Sequence, residues 1–181
     1  ERPMTSYVYE GDKSFSLEHI RQEYPVYGTT DYRHSAIEIL QKNGSRISDF
    51  KYNGYEIVPG KPKLQGLPAI YAESEEEAMT LRIFLKDSLT GVVVELLYTI
   101  FSEYGAIARS VRIKNTGEMP VHLLTAMSLN LDLPDKDYVW MQLSGAWARE
   151  RHVKMRTLEQ GITAIDSMRG NSSHEQNPFM V

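Results

Sequence analysis

The feature that most limits how this chain can fold is a series of short strand patterns at regular spacing. Residues 80–86 alternate Leu81, Ile83 and Leu85 with four other side chains, which is the period of two expected of a strand. Residues 91–101 form a nearly continuous apolar run, which predicts a strand buried on both faces. Further strands are predicted over residues 106–114, 121–131, 138–143, 153–158 and 162–168, with turns at residues 87–91 and 115–117. This spacing is typical of an antiparallel sandwich or barrel.

Helical patterns are confined to two short segments. Residues 16–21 and residues 73–78 are each long enough for only one or two turns. The run Glu75-Glu76-Glu77 in the second segment predicts a solvated helical turn, which we prefer to the alternative of a metal site. We therefore predict an all-β chain with one or two short helical turns.

Composition argues against several classes of protein. The chain has 181 residues, 41% of them hydrophobic, which is enough for one domain with a core. A net charge of −4 without a basic cluster argues against nucleic-acid binding. Without cysteine the chain forms neither a disulfide scaffold nor a thiolate metal site. No apolar run reaches the roughly 18–20 residues that span a bilayer, and no signal-peptide pattern is present. We expect neither a nucleic-acid partner nor a membrane.

The usual signs of catalytic or cofactor chemistry are weak. The five histidines lack metal-binding spacing, and no glycine-rich phosphate loop is present. Asp132, Asp135 and Asp137 suggest a catalytic pair or a calcium loop, but a polar turn between strands explains them more simply. The Ser-Ser-His of residues 172–174 is better explained by hydrogen bonds that fix a loop than by catalysis. We expect no cofactor and no bound metal.

One charged residue breaks the alternation of its strand. In residues 106–114, Arg109 shares a face with Ile107, Val111 and Ile113. A guanidinium that faces a core requires carboxylates or backbone carbonyls as partners. We therefore predict a structural ion pair inside a sheet, with a sugar contact lining a cleft as the alternative.

Two dense polar runs near the end of the chain contrast with the strand patterns before them. Residues 144–152 read Ser-Gly-Ala-Trp-Ala-Arg-Glu-Arg-His, and residues 169–179 read Arg-Gly-Asn-Ser-Ser-His-Glu-Gln-Asn-Pro-Phe. The first run places a large ring, Trp147, beside a tight backbone and a group of charges. A sugar offers an apolar ring face for stacking and hydroxyls for charged hydrogen-bond partners, so this run suits carbohydrate binding.

Together the two runs resemble the amino-terminal region of family 36 glycoside hydrolases, the bacterial α-galactosidases. Their most specific matches are Ser-Gly-Ala-Trp and Ser-Ser-His-x-x-Asn-Pro-Phe. Weaker matches upstream are Gln-Glu-Tyr-Pro-Val-Tyr-Gly at residues 22–28, Asp-Tyr-Arg at 31–33, Gly-Lys-Pro at 60–62, Gly-Leu-Pro-Ala at 66–69 and Asn-Thr-Gly at 115–117. The resemblance implies that residues 1–181 are part of the family's amino-terminal β-supersandwich, an antiparallel all-β domain.

The resemblance also implies an activity for the full-length protein. This would be a retaining α-galactosidase with two catalytic aspartates on a (β/α)8 barrel, expected after residue 181. The chain shows no alternation of strands and helices, so we expect it to hold no catalytic residue and to be inactive alone. The implied substrates carry terminal α-1,6-linked galactose, as in melibiose, raffinose and stachyose. The resemblance also implies that further strands precede Glu1 and follow Val181. It implies a homo-oligomer as well, because the family's members form tetramers. We expect a cytoplasmic location.

Two residues of this chain match family positions that contact substrate. Trp147 matches a tryptophan that reaches over the mouth of the barrel; the alternative is a Trp in the core of the sandwich. The neighbouring Gly145 and Arg149 favour an exposed loop over that core position. Glu1 falls where the family has an aspartate that binds sugar in the active site of a neighbouring subunit. This second assignment rests on the spacing between Glu1 and Phe15-Ser16-Leu17. The glutamate has one methylene more than the family's aspartate.

Two other functions remain open at the level of sequence. One is a stand-alone carbohydrate-binding or β-sandwich interaction module with Trp147 as its stacking platform. The other is a mutarotase-like epimerase on a related supersandwich, which requires a His/Glu acid–base pair in one concave face. A barrel with two well-placed aspartates after residue 181 would distinguish the glycosidase from both.

Overall fold

The computed structural model describes residues 21–28, 33–66, 69–133, 137–159, 161–168 and 175–181. They form nine strands in chain order and divide into two compact units, Glu1–Leu133 and Pro134–Val181. Every pair of strands in the sheets is antiparallel. The described residues thus confirm the prediction of an antiparallel, almost wholly β fold.

The main sheet of the first unit is a meander of four strands. Its members, in the order in which they pair, are β2 (Phe50–Pro59), β3 (Met79–Asp87), β4 (Val92–Phe101) and β5 (Ala106–Asn115). The turn between β3 and β4 closes because Gly91 donates its N–H to the Asp87 carbonyl at 2.9 Å with φ of +74°. The Asp87 carboxylate also accepts the Leu89 N–H at 2.8 Å, so the side chain fixes the same turn.

β4 is central and buried on both faces, as its apolar run predicts. On one face Val92, Val94 and Leu96 belong to the hydrophobic core of the unit. On the other face Leu97 and Thr99 are buried beside Glu95. The Thr99 hydroxyl lies 2.8 Å from the Thr80 hydroxyl. Both faces are therefore covered, which explains why the sequence of β4 does not alternate.

A two-stranded sheet contributes the rest of the core. β1 (Ile37–Leu40) pairs with β6 (His122–Ala126), and Ile37 and Ile39 are fully buried in the same cluster as β4. Tyr24 packs into this cluster and donates its hydroxyl to the Met127 carbonyl at 2.8 Å. Residues far apart in sequence thus meet in one core.

The second unit contains one three-stranded sheet. Its strands are β7 (Val139–Ala146), β8 (Arg149–Thr157) and β9 (Gln176–Met180), with β7 in the middle. β7 and β8 form a hairpin that pairs from Val139↔Thr157 to Ala146↔Arg149. This hairpin carries the first polar run of the sequence analysis at its tip.

Several segments differ from the prediction. The pattern over residues 121–131 forms a strand only at His122–Ala126, since its partner β1 is four residues long. Residues 162–168 adopt no strand, and Ile162 and Met168 are almost fully exposed, so their alternation buries no face. Sequence patterns also did not single out β1, β2 or β9.

The helical predictions are also revised. Residues 73–78 form a single turn closed by a 3.4 Å bond from the Glu77 N–H to the Ser74 carbonyl. The chain then extends directly into β3, whose pairing with two neighbours outweighs a weak helical pattern. Residues 16–20 lie outside the described part of the chain. One turn of 3-10 helix, Ser102–Tyr104, was not predicted. No helix among the described residues is long and apolar enough to cross a bilayer.

Candidate functional site

Trp147 lies at the tip of the β7–β8 hairpin. Ala146 pairs with Arg149, so Trp147 and Ala148 alone form the connection between the strands. The indole is 81% exposed. A side chain with that exposure is not part of the core, so the geometry favours the exposed loop over the buried Trp. An exposed indole offers an apolar face and one N–H donor, which is what stacking on a sugar requires.

The backbone around the tip of this hairpin has an unusual conformation. Ala148 and Arg151 have φ values of +62° and +56°, and they are the described non-glycine residues with positive φ. Such a conformation costs about 1–3 kcal/mol per residue and is concentrated at functional sites in proteins. Glu150 accepts the Ala148 N–H at 2.8 Å, so its carboxylate supports the turn. These two features constrain the backbone of the turn that carries Trp147.

Gly145 is required where the hairpin narrows. A Cβ on this residue would lie 2.3 Å from the Arg149 carbonyl oxygen, which leaves no space for any side chain. The pairing register shifts here: Gly145 alone lies opposite Glu150 and Arg151, so β8 carries a bulge whose backbone closely approaches Gly145. The Gly-Ala-Trp sequence is therefore explained by geometry as well as by composition.

The structure brings the two polar runs together. Gly145 donates its N–H to the Glu175 carbonyl at 3.0 Å, and Ser144 pairs with Gln176 at the start of β9. Residues 177–179 of the second run therefore lie in β9, beside β7, the strand that leads into Trp147. Asn177 Oδ1 is buried without a hydrogen-bond partner among the described residues. The Ser-Ser-His of residues 172–174 lies outside the described part of the chain.

The second tryptophan has a different role. Trp140 lies in the body of β7, is partly buried, and packs under the guanidinium of Arg156 at 5.2 Å. Its indole Nε1 is buried without a partner in the described part of the molecule. Trp140 is thus a sheet residue and provides an internal comparison for Trp147.

Arg109 has the partners that its position predicts. Its side chain is 7% exposed, and Nη2 lies 3.4 Å from the Glu23 carboxylate. Nη1 donates to the Ser110 carbonyl at 3.1 Å, and the guanidinium stacks 3.8 Å from the centroid of the Tyr98 ring. Burial lowers the pKa of Arg109, and the charge of Glu23 opposes that shift. This geometry favours the structural ion pair over the sugar contact.

Of the three aspartates near Pro134, Asp132 has structural partners. Asp132 accepts a charged hydrogen bond from Arg33 and the Gln22 N–H at 2.8 Å. It therefore ties the segment before β1 to the segment after β6, as a structural polar group would. Asp135 lies outside the described residues, and Asp137 is exposed. No group of three or more His, Asp or Glu side chains among the described residues is arranged to hold a metal.

Sequence reasoning missed a cluster of charges centred on Glu95. This carboxylate, 2% exposed, contacts Arg82, and lies 3.5 Å from Arg112 and 3.7 Å from Lys114. Arg82 pairs with Glu56 as well, and its hydrogen bond to Glu95 raises its pKa. The signal in the sequence was one acidic residue within the apolar run of β4, which requires buried partners.

Comparison with known proteins places this chain in a family. Residues 1–181 match the family model described as the glycosyl hydrolase family 36 N-terminal domain. The chain belongs to glycoside hydrolase family 36. Its membership confirms the resemblance on which the assignments of Trp147 and Glu1 depend.

The relatives of this family 36 chain are much longer than it is. It is 47% identical over 170 residues to α-galactosidase AgaA of Geobacillus stearothermophilus. This match covers 94% of this chain but only 23% of that protein. It is 41% identical to the probable α-galactosidase C of Aspergillus terreus, over 90% of this chain and 22% of that protein. The crystal structure of AgaA superposes with a TM-score of 0.87 at 48% identity, over 92% of this chain and 23% of that one. A variant of AgaA in complex with stachyose gives a TM-score of 0.88 at 45% identity, over 99% and 25%.

Two site assignments in this family 36 chain stay predictions. The geometry presents Trp147 at the constrained tip of a hairpin, and its contact with a substrate stays a prediction. Glu1 lies outside the described residues, so its position is not part of the site. The described residues bring together Trp147, Gly145 with the β8 bulge opposite it, and β9, and these form the candidate site.

Proposed function

We propose that this chain is the non-catalytic amino-terminal portion of a retaining α-galactosidase. The full-length enzyme would remove terminal α-1,6-linked galactose from galactosides such as melibiose, raffinose and stachyose. The observation that carries the proposal is 47% identity to α-galactosidase AgaA across 94% of the chain. Variants of that relative have been crystallised in complex with raffinose and with stachyose, which supports the substrate class.

The chemistry would take place on a (β/α)8 barrel in the sequence after residue 181. Retention requires two carboxyl groups about 5–5.5 Å apart, one as nucleophile and one as acid/base. Residues of this chain would supply binding surface instead. Stacking of the Trp147 ring on a galactose face would position the sugar, since the ring is exposed and the turn beneath it is fixed.

The same proposal covers assembly and location. Glu1 would bind sugar in the active site of a neighbouring subunit, which requires a homo-oligomer, a tetramer in the family. A cytoplasmic location completes the proposal. Sedimentation of the full-length protein tests the oligomer, and fractionation of the producing cells tests the location.

Activity of the full-length protein tests the function directly. We expect hydrolysis of p-nitrophenyl α-galactoside and, by NMR, an α-anomer of galactose as the first product. The same assay on the isolated 181-residue chain should show no turnover above buffer. A β-anomer would refute retention, and activity in the isolated chain would refute the non-catalytic role. A full-length protein that binds galactosides without hydrolysing them would identify a carbohydrate-binding module instead.

A further inference from the structure

The turn that carries Trp147 holds a conformation that its own sequence does not favour. Ala148 has φ of +62°, in the left-handed region where glycine and asparagine are normally found. The alanine Cβ makes this region unfavourable, and the side chain has no polar atom with which to stabilise it. The conformation of the turn therefore depends on contacts from outside its two residues, Trp147 and Ala148.

Glu150 supplies such a contact. Its Oε1 accepts the Ala148 N–H at 2.8 Å, and this is the one hydrogen bond or ion pair of that carboxylate in the described part of the chain. Arg149 and Arg151 flank Glu150 in sequence, yet neither forms an ion pair with it among the described residues. The Glu150 carboxylate is thus directed to the turn and not to a neighbouring charge.

The bulge in β8 places Glu150 at the tip of the hairpin. Gly145 alone lies opposite Glu150 and Arg151, and Arg151 has φ of +56°. A Cβ on Gly145 would lie 3.0 Å from the Glu150 Cα, so the bulged backbone lies close against β7. A bulge adds one residue to its strand and bends the backbone there. It thereby holds the Glu150 carboxylate within hydrogen-bond distance of the Ala148 N–H.

This support contributes little to the burial of apolar surface. Trp147 is 81% exposed, and Ala148 and Glu150 are exposed as well. Burial stabilises a fold in proportion to the apolar area removed from water, so the strained turn gains little stability from its conformation. Backbone strain of this kind is concentrated at sites that bind or react, where a side chain has to be held in one place. The large side chain held here is the indole of Trp147.

We propose that Glu150 is a positioning residue for galactoside binding, which acts through the Trp147 turn and does not contact the sugar. The inference rests on the proposed function, which assigns the Trp147 ring to the sugar. The acceptor oxygen of Glu150 keeps the turn in the conformation that presents the ring. Once the turn is released, the ring faces the sugar for only a fraction of the time, and the apparent affinity falls in proportion to that fraction.

The affinity of the full-length protein for galactose tests this role. Calorimetric titration gives Kd without hydrolysis, because free galactose has no glycosidic bond to cleave. E150A removes the acceptor and E150D shortens the side chain by one methylene, and we expect each to weaken binding about threefold to tenfold. E150Q keeps an acceptor oxygen on a side chain of the same length, so Kd should stay within about twofold. The matched control E159A removes an exposed glutamate beyond the other end of β8 and should leave Kd unchanged.

A double-mutant cycle with W147A shows whether Glu150 acts through the ring. E150A should have no further effect on Kd in the W147A background, so the two changes should be strongly non-additive. Additive losses, or a loss in E150Q equal to that in E150A, would indicate direct contact between the Glu150 charge and the sugar and overturn the proposal. An unchanged Kd in E150A would also overturn it, and a lower Tm in that variant would then identify Glu150 as purely structural.

Millisecond hydrogen exchange in the same protein follows the turn without any sugar. The Ala148 amide should exchange about tenfold faster in E150A than in the unsubstituted protein, because the released turn opens more often. In E150Q it should exchange at the unsubstituted rate. Equal rates in E150A and in the unsubstituted protein would show that Glu150 does not hold the turn, which overturns the proposal.

The α-galactosidase assay on the same preparation separates these outcomes from failure of the proposed function. Hydrolysis by a protein in which E150A binds galactose normally refutes only the positioning role. Galactose binding with the expected pattern but without hydrolysis refutes only the glycosidase. An absence of galactose binding in the unsubstituted protein overturns the positioning role, and hydrolysis in that preparation decides the glycosidase by itself.

Discussion

Replacing Trp147 by alanine in the full-length enzyme should impair activity far more than stability. The indole is 81% exposed, so about one fifth of its surface is buried in this chain. For a side chain of about 250 Å² that is roughly 50 Å², which at 25 cal/mol per Å² corresponds to about 1 kcal/mol. A loss of that size lowers Tm by about 2–4 °C in a unit of 150–250 residues.

The effect on catalysis should be larger because the ring is proposed to contact the sugar. Truncation of a well-packed aromatic contact commonly costs about 2 kcal/mol or more, and each 1.36 kcal/mol is a tenfold change in rate. We therefore expect kcat/KM for raffinose to fall tenfold to a hundredfold in W147A. Initial rates with raffinose and thermal unfolding of the same preparation measure the two effects separately.

The matched control is W140A, which removes the same side chain from the body of β7. Trp140 is partly buried and packs against Arg156. W140A should therefore lower Tm more than W147A does, and it should reduce kcat/KM less than W147A does. Unchanged kinetics in W147A would refute the substrate contact. An equal or larger loss of Tm in W147A than in W140A would refute the reasoning from exposure.

Three further predictions concern the scaffold. Glu95→Gln should destabilise the fold by about 1.5–3 kcal/mol because three partly exposed cations lose the buried carboxylate that they share, whereas Glu56→Gln, at a residue 43% exposed, should cost less than about 1 kcal/mol; equal shifts in thermal unfolding would contradict this. Gly145→Ala should displace the hairpin tip and lower kcat/KM at least about tenfold, while Ala148→Gly, which suits the positive φ, should retain activity in the same assay. Burial raises the pKa of Tyr24 to about 12, so the folded state keeps this phenol protonated longer than the unfolded state. Stability should be complete below pH of about 10 and fall as the pH rises toward 12, and Tyr24→Phe should reduce that loss in base-induced unfolding.

Local patterns were sufficient for the middle of the chain. The strands predicted over residues 80–86, 91–101 and 106–114 correspond to β3, β4 and β5, with ends that differ by one residue at most. They succeed because each strand pairs with its sequence neighbour through a short turn, so local information coincides with tertiary contacts. That Arg109 pairs with a carboxylate and with carbonyls was also predictable, since a buried guanidinium admits few alternatives, but the identity of that carboxylate, Glu23, was not.

Patterns failed where a distant partner decides the outcome. β6 ends at Ala126 because β1 is short, and residues 162–168 alternate without forming a strand. β9 was missed because it is defined by its pairing with β7, about thirty residues earlier. A period of two describes one strand, but it does not specify which strand lies beside it.

The candidate site shows the same division. Residue types in a fixed order were enough to predict the family, the all-β class and the choice of Trp147. The exposure of Trp147 on a strained turn, the lack of space for a side chain at Gly145, and the position of β9 beside the hairpin became visible only in the fold. The cations around Glu95 were likewise visible only in the fold. Those features arise from close approach of residues distant in sequence, and such distances are set by strand pairing and packing.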